Sequence, residues 1–205
     1  MEFLVVLKRD CETCKLVEPA LAALRDEFSL TLYSQDDPSF PKGLGGAEDD
    51  RTLEKSYRLG VETVPTLVRL EGGQEVSRTE GWDREDWVRV TGLASLGQDL
   101  PPFQPGCGSK SVELGMPERL ALKFGDLTFH SRAIEVDELD DPAEIAFDRG
   151  WTDGLPVIAP TDLRIARMLA GSTRDPGEIL GPIPPNLVDC TIEKAAVNAV
   201  MAGCR

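Results

Sequence analysis

The chain has 205 residues, of which 41% are hydrophobic and 28% are charged, and its formal net charge is −14. This length allows one large domain or two small ones. The negative charge divides evenly between the two halves, which is typical of a solvated surface. It argues against nucleic acid or an anionic membrane as a partner, because both would repel the protein. No apolar segment approaches the ~20 residues that a membrane helix needs.

The N-terminal apolar run, residues 3–7, is short and lacks a basic leader and a cleavage site. It therefore predicts a strand and not a signal peptide, so that a cytoplasmic location is the default. In that compartment the five cysteines are expected to be free or catalytic thiols, since reducing conditions do not favour a framework of structural disulfides.

Cys11 and Cys14 follow this run with two residues between them. A strand that delivers such a pair to the start of a helix is the layout of a thiol–disulfide redox site. Half of a zinc site has the same spacing. The motif alone therefore leaves metal binding open.

Strand and helix patterns alternate through the first half. Apolar residues recur at helical spacing over residues 12–27 and predict one amphipathic helix with Cys11 at its N-terminus. Residues 35–50 are rich in Pro, Gly and Asp and predict a loop, after which Asp49 and Asp50 are placed to start a helix through about Leu59. The other predicted elements are a strand at 30–34, a hairpin of strands 66–70 and 75–78, and a helix after Asp83. The order β-α-β-α-β-β-α defines an α/β fold.

This order and its motifs resemble the thioredoxin superfamily over residues 2–93. The residues that carry the resemblance are Cys11-Glu-Thr-Cys14-Lys15, Pro19 in the active-site helix, Pro65 within residues 57–68, Gly72-Gly73 at the hairpin turn, and Gly81. The resemblance implies that Cys11 is the exposed nucleophile and Cys14 the resolving thiol. It also implies that Pro65 is a cis-proline packed against a redox-active disulfide, with Val64 and Thr66 binding an extended substrate segment.

The sequence departs from the family pattern around the nucleophile. Asp10 stands where the family has an aromatic residue, Glu12-Thr13 replace Gly-Pro, and Val5 replaces a buried acid. Carboxylates on both sides of Cys11 oppose its ionisation, whereas nearby basic residues and the helix dipole favour it. These departures favour a dedicated partner over general reduction of protein disulfides.

The second half has a different composition. Three prolines and two glycines in residues 94–106 predict a linker, and residues 107–205 are expected to form a second, mostly helical and irregular domain. Helices are predicted at 117–124 and 142–147 and after Thr161 and Thr191, with an extended bridge at 181–185. Some of its residues form recognisable motifs, namely Gly150-Trp-Thr-Asp-Gly-Leu-Pro156, Pro160-Thr161 and residues 193–204. On these residues this half resembles an uncharacterised bacterial family related to the UGSC-type (seleno)proteins. The last helical pattern is still running at Arg205, so a truncated domain and a helix that ends at Gly203 are weighed equally.

Cys107 lies in a small-residue turn, Gly106-Cys107-Gly108. Glycines leave backbone amides free to stabilise a thiolate, which makes Cys107 a candidate redox partner of Cys11 and Cys14. A zinc site from Cys107, His130, Cys190 and Cys204 would match no known ligand spacing, and no metal site is predicted. No bound cofactor is expected, because nucleotide-binding and metalloprotease motifs are missing from the sequence.

Two functions from different classes follow. The first is a thiol–disulfide oxidoreductase that uses Cys11 and Cys14 on a dedicated protein partner or on its own second domain. Its substrate would be a protein disulfide or a small oxidised thiol, and its electron donor a thioredoxin reductase or a low-molecular-weight thiol. The alternative is a docking module that recruits the activity of the second domain without redox turnover. A third, ranked last, is binding of a soft metal ion by the two thiols.

Overall fold

In a computed structural model, which describes residues 1–125 and 127–205, the chain divides into two compact units, 1–120 and 121–205. The strands of the first unit are β1 (Glu2–Leu7), β2 (Ser29–Ser34), β3 (Glu48–Asp49), β4 (Thr63–Val64), β5 (Thr66–Glu71), β6 (Gln74–Glu80), β7 (Trp82–Asp83), β8 (Phe103–Gln104) and β9 (Cys107–Gly108). Its helices are α1 (Glu12–Leu16), α2 (Glu18–Glu27), α3 (Glu54–Arg58) and α4 (Arg84–Thr91), and the boundary between the units falls within α5 (Met116–Phe124).

A five-stranded mixed sheet in the order β3-β2-β1-β5-β6 forms the centre of the first unit. Strand β1 is parallel to β2 and antiparallel to β5. It is buried from Phe3 to Leu7, as an apolar strand covered on both faces must be. The mixed α/β class predicted from the alternating patterns is confirmed for this unit.

The predicted helix at 12–27 is interrupted at Val17, which caps α1 and precedes α2. Pro19 lies in the first turn of α2, where its missing N–H costs no helical hydrogen bond. The next helix is shorter than predicted: it begins at Glu54 and not at Asp50. Leu53 takes a positive φ of 62°, and an α-helix cannot continue through that backbone conformation. The Asp50 carboxylate lies before the helix and accepts from the amides of Lys55 and Ser56 in its first turn.

The predicted linker does not separate the two units. Residues 94–106 lie within the first unit, where β8 pairs with β7 and β9 pairs with β4. The Trp82 indole donates to the carbonyl of Pro101 at 2.6 Å, which holds the returning chain. Proline-rich sequence is also compatible with extended chain that packs as short edge strands. Composition therefore did not distinguish a linker from a packed segment. The division into a domain at 1–93 and a second domain at 107–205 stays a prediction.

Among its described residues, the second unit has three helices after the boundary and one hairpin: α6 (Pro142–Asp148), α7 (Asp162–Ala170), α8 (Ile192–Met201), β10 (Ile179–Ile183) and β11 (Val188–Thr191). Ile165 and Leu169 of α7 pack with Ala196 of α8 in its small core. The predicted extended bridge at 181–185 overlaps β10 of an antiparallel hairpin. Glu193 is buried and accepts from the backbone amides of His130 and Ser131.

Candidate functional site

Cys11 and Cys14 lie where β1 leads into α1. The Asp36 carboxylate accepts from the amides of Arg9 and Asp10, at 2.7 and 3.0 Å, and so fixes the turn before the first cysteine. Cys11 is the N-cap of α1, with extended backbone angles. The three-residue step along the helix then brings Cys14 beneath it. Both cysteines are free thiols.

Hydrogen bonds surround the two sulfurs. The amide of Cys14 donates to Cys11 Sγ at 3.3 Å, as a helix N-terminus does to a capping group. The same sulfur lies 3.6 Å from the carbonyl oxygen of Val64. Cys14 Sγ accepts from the amide of Lys8 at 3.5 Å. The pair is thus positioned by backbone groups from three different segments of the first unit.

The three thiols in this region ionise very differently. A side-chain hydrogen bond from Cys14, supported by one from Cys107 and by the amides of Cys14 and Thr13, lowers the pKa of Cys11 to about 5 against the opposing effect of burial. Burial, and then the neighbouring Cys11, raise the pKa of Cys14. Burial and Cys11 likewise raise the pKa of Cys107. The negative charge therefore rests on Cys11, and the other two thiols remain protonated donors to it.

Pro65 follows the edge strand β4, and the Val64–Pro65 peptide bond is cis, the isomer that the resemblance implies. Val64 is fully buried. Thr66 is buried as well, and its hydroxyl donates to the carbonyl of Thr63 at 2.5 Å. The side chain of Thr66, predicted to bind substrate, is thus engaged within the protein. The substrate role of Val64 and Thr66 stays a prediction.

Cys11, which the resemblance implied to be an exposed nucleophile, is buried, with only 2% of its surface accessible. The cover is residues 103–112, which we call the strap. Its β9 pairs antiparallel with β4, in the register Val64 to Cys107 and Thr63 to Gly108. The structure therefore brings Cys107 to the two cysteines of the motif.

Further side chains that the sequence analysis missed hold the strap in place. The Gln35 amide donates to the hydroxyls of Ser56 and Ser109, both at 2.7 Å, and accepts from the amide of Lys110. Ser111 donates to the carbonyl of Val61 at 2.6 Å. The signal available in the sequence was the run of small residues around Cys107, which permits close approach of two backbones.

The described residues contain no group of three or more His, Cys, Asp or Glu side chains arranged to hold a metal ion. In the same part of the chain, no helix is both long and apolar enough to cross a lipid bilayer.

Solved structures that are similar to this chain include a thioredoxin of Malassezia sympodialis, Mala s 13, described as a member of a new pan-allergen family. The match covers 44% of this chain and 70% of that one, at 17% identity and a TM-score of 0.32. No protein-family model matches the chain, and no curated protein matches it. This likeness to a thioredoxin is weak. What the structure itself shows for the first unit is a mixed central sheet with flanking helices.

Proposed function

We propose that the first unit is a thiol–disulfide oxidoreductase that uses Cys11 and Cys14 as a dithiol–disulfide couple. The observation that carries the proposal is the hydrogen-bonded pair itself. Cys11 Sγ caps α1 and accepts from the amide of Cys14, while Cys14 is fully buried one helical turn away. Such an arrangement stabilises one thiolate and keeps a second thiol ready to resolve a mixed disulfide.

The reaction would proceed in two exchanges. The Cys11 thiolate attacks one sulfur of a substrate disulfide, so that a Cys11–substrate bond forms and the substrate's other sulfur leaves as a thiolate and takes a proton. Cys14 then loses its proton and attacks Cys11 Sγ, which forms the Cys11–Cys14 disulfide and releases the second substrate thiol. Two electrons pass to the substrate. A thioredoxin reductase or a low-molecular-weight thiol would restore the dithiol.

Pro65 lies beside this couple, since Val64 is in contact with Cys11 through its carbonyl. We assign Pro65 a positioning role, and Val64 and Thr66 to the edge against which an extended sulfur-bearing segment lies. The pairing of Val64 with Cys107 supports this assignment, because it shows that the edge accepts a second strand.

Docking without redox turnover is the second candidate, and the burial of Cys11 favours it. A nucleophile that is 2% accessible reaches an external disulfide only when the strap moves. On this alternative the first unit serves as a scaffold, and replacing Cys11 by Ser would leave the protein's function intact.

The test is the redox titration of the couple in buffers of reduced and oxidised dithiothreitol. Trypsin releases both cysteines in one peptide, residues 10–15, so the Cys11–Cys14 disulfide appears as the loss of two hydrogens from that peptide. We expect a single two-electron transition, unchanged in the control variant Cys190→Ser. If peptide 10–15 stays reduced even in the fully oxidised buffer, the redox proposal is wrong and the docking alternative stands.

A further inference from the structure

The strap lies on the Cys11–Cys14 site in the manner of an added strand. Cys107 is paired with Val64 and Gly108 with Thr63, antiparallel, at the free edge of β4. Addition of a strand to an exposed edge is a general mode of peptide recognition, in which main-chain hydrogen bonds give affinity and side chains give specificity. Here the added strand belongs to the same chain.

Direct contacts with the site fix the strap on either side of Cys107. The Thr13 hydroxyl, between the two cysteines of the motif, donates to the carbonyl of Pro105 at 2.6 Å. The Lys8 ammonium donates to the carbonyl of Gly108 at 2.8 Å. The amide of Ser109 donates to the carbonyl of Glu62 at 2.9 Å. These bonds define the position of the Cys107 backbone, and its side chain packs against the cluster that includes both cysteines of the motif.

The shape of the contact is equally specific. Gly106 lies so close to β4 that a Cβ there would be 2.3 Å from Thr63 Cγ2 and 2.9 Å from the carbonyl oxygen of Val64. Gly81, at a φ of +67°, lies against Gly106 on the other side. A Cβ added at Gly81 would be 2.8 Å from the amide nitrogen of Gly106. Two glycines therefore permit a backbone approach that other residues would prevent.

Accessibility separates the thiols. Cys11 and Cys14 are buried and Cys107 is partly exposed. Cys107 packs against the buried cluster that contains Cys11 and Cys14. Cys107 is thus in contact with this buried cluster on one side and with solvent on the other.

We propose that Cys107 is an internal redox partner of Cys11, and that a small thiol exchanges electrons with the buried couple through Cys107. The inference rests on the proposed redox function of Cys11 and Cys14. The strap then acts as a tethered substrate, which explains why a strand with a central cysteine occupies the site.

The exchange needs no outside oxidant once the Cys11–Cys14 disulfide exists. The Cys107 thiol loses its proton, and its thiolate attacks Cys11 Sγ. The Cys11–Cys107 bond forms, the Cys11–Cys14 bond breaks, and Cys14 leaves as a thiolate that takes up a proton. One disulfide is exchanged for another, and the oxidised sulfur is now partly exposed.

A low-molecular-weight thiol can then attack Cys107 Sγ, which expels Cys11 as a thiolate and forms a mixed disulfide on Cys107. A second molecule of the small thiol attacks that mixed disulfide, releases the Cys107 thiol and leaves as the oxidised dimer. Two small thiols are oxidised for each protein disulfide reduced. Cys11 is the favoured leaving group because exchange is faster when the departing thiol has a low pKa.

The decisive experiment uses the full-length Cys14→Ser variant, exposed to oxidised glutathione. Trypsin places Cys107 in peptide 90–110 and Cys11 in peptide 10–15, so that a Cys11–Cys107 disulfide joins these two peptides. We expect the joined species to predominate on non-reducing mass spectrometry. The double variant Cys14→Ser/Cys190→Ser should give the same product, and Cys14→Ser/Cys107→Ser should give only glutathione adducts. Cys14→Ala serves in place of Cys14→Ser if the serine variant does not fold.

A glutathione adduct on Cys11 with a free Cys107, or a joined peptide that contains Cys190 or Cys204 in place of Cys107, would overturn the inference. This failure is distinguishable from failure of the proposed function. If the wild-type protein forms the Cys11–Cys14 disulfide in dithiothreitol buffers but Cys14→Ser never joins Cys11 to Cys107, the redox function stands and the role of Cys107 falls. If neither disulfide forms, both fall.

Discussion

Replacing Gly106 by Ala should detach the strap from the thiol pair without affecting the rest of the first unit. The new methyl group would meet the carbonyl oxygen of Val64 at 2.9 Å and Gly81 Cα at 3.1 Å. These are backbone atoms, which cannot rotate away as a side chain can. The collision therefore has to be relieved by movement of the strap.

The size of the effect follows from the cost of overpacking, which is about 1–3 kcal/mol for an inserted methyl group that the site cannot accommodate. If that cost falls on the closed state alone, the open fraction rises by about five- to 150-fold, since 1.4 kcal/mol is a factor of ten. Cys11, 2% accessible when the strap is closed, is alkylated through the open state. Its alkylation rate should rise by the same factor.

The assay is the rate of iodoacetamide modification at Cys11, followed by fragmentation of tryptic peptide 10–15. Gly108→Ala is the matched control, because a Cβ at Gly108 would meet no described atom within 4 Å. Cys14 in the same peptide reports on global unfolding, since it is fully buried beneath the first cysteine. Equal rates at Cys11 in the two variants would refute the reasoning, and so would modification of Cys14 as fast as that of Cys11.

Three further variants test other parts of the structure. Cys14→Ala should raise the pKa of Cys11 from about 5 towards its ordinary 9.0, because the Cys14 side chain is the main donor to the thiolate. The pKa is measured from the ultraviolet absorbance of the thiolate as a function of pH. An unchanged pKa would contradict the role of Cys14 as that donor. Gln35→Ala removes the hydrogen bonds that Gln35 makes to the strap and should lower the free energy of unfolding in urea by about 3 kcal/mol, whereas the exposed control Gln98→Ala should be neutral. Glu193→Gln should cost about 1–3 kcal/mol at neutral pH. Although burial acts to raise the pKa of Glu193, hydrogen bonds lower it in the folded state. The loss of unfolding free energy in the variant should therefore shrink as acidification protonates the wild-type carboxylate. A loss that does not change with pH would contradict this reasoning.

Ionisation of Cys11 should change the stability of the protein with pH in the same direction as ionisation of Glu193 does. Because its pKa is lower in the folded than in the unfolded protein, the Cys11 thiolate adds stability as pH rises from about 5 towards 9.0 and that stability is lost as pH falls through the folded value. The stability difference between wild type and Cys11→Ala should therefore grow over this range. A constant difference would mean that Cys11 does not ionise at a lowered pKa.

The elements that local sequence determines were predictable. The apolar run before Cys11 is β1, and Cys11 is at the start of a helix, as the helical spacing of the apolar residues after it predicted. The helix after Asp50 was predicted too early because Leu53 adopts a left-handed conformation that no periodicity of side chains reveals. Local pattern thus fixes the type of an element better than its ends.

The position of Cys107 was decided by the tertiary structure. Its segment has the proline and glycine content of a linker, and its two-residue strand has no periodicity to detect. It is held by pairing with Val64 and by the buried amide of Gln35, contacts that join residues far apart in the chain. The sequence by itself determined the thiol pair, the mixed α/β pattern and the acidic surface, because these depend on neighbouring residues and composition. Only the fold could bring the third thiol to the pair, because long-range backbone pairing leaves almost no trace in the residues that make it.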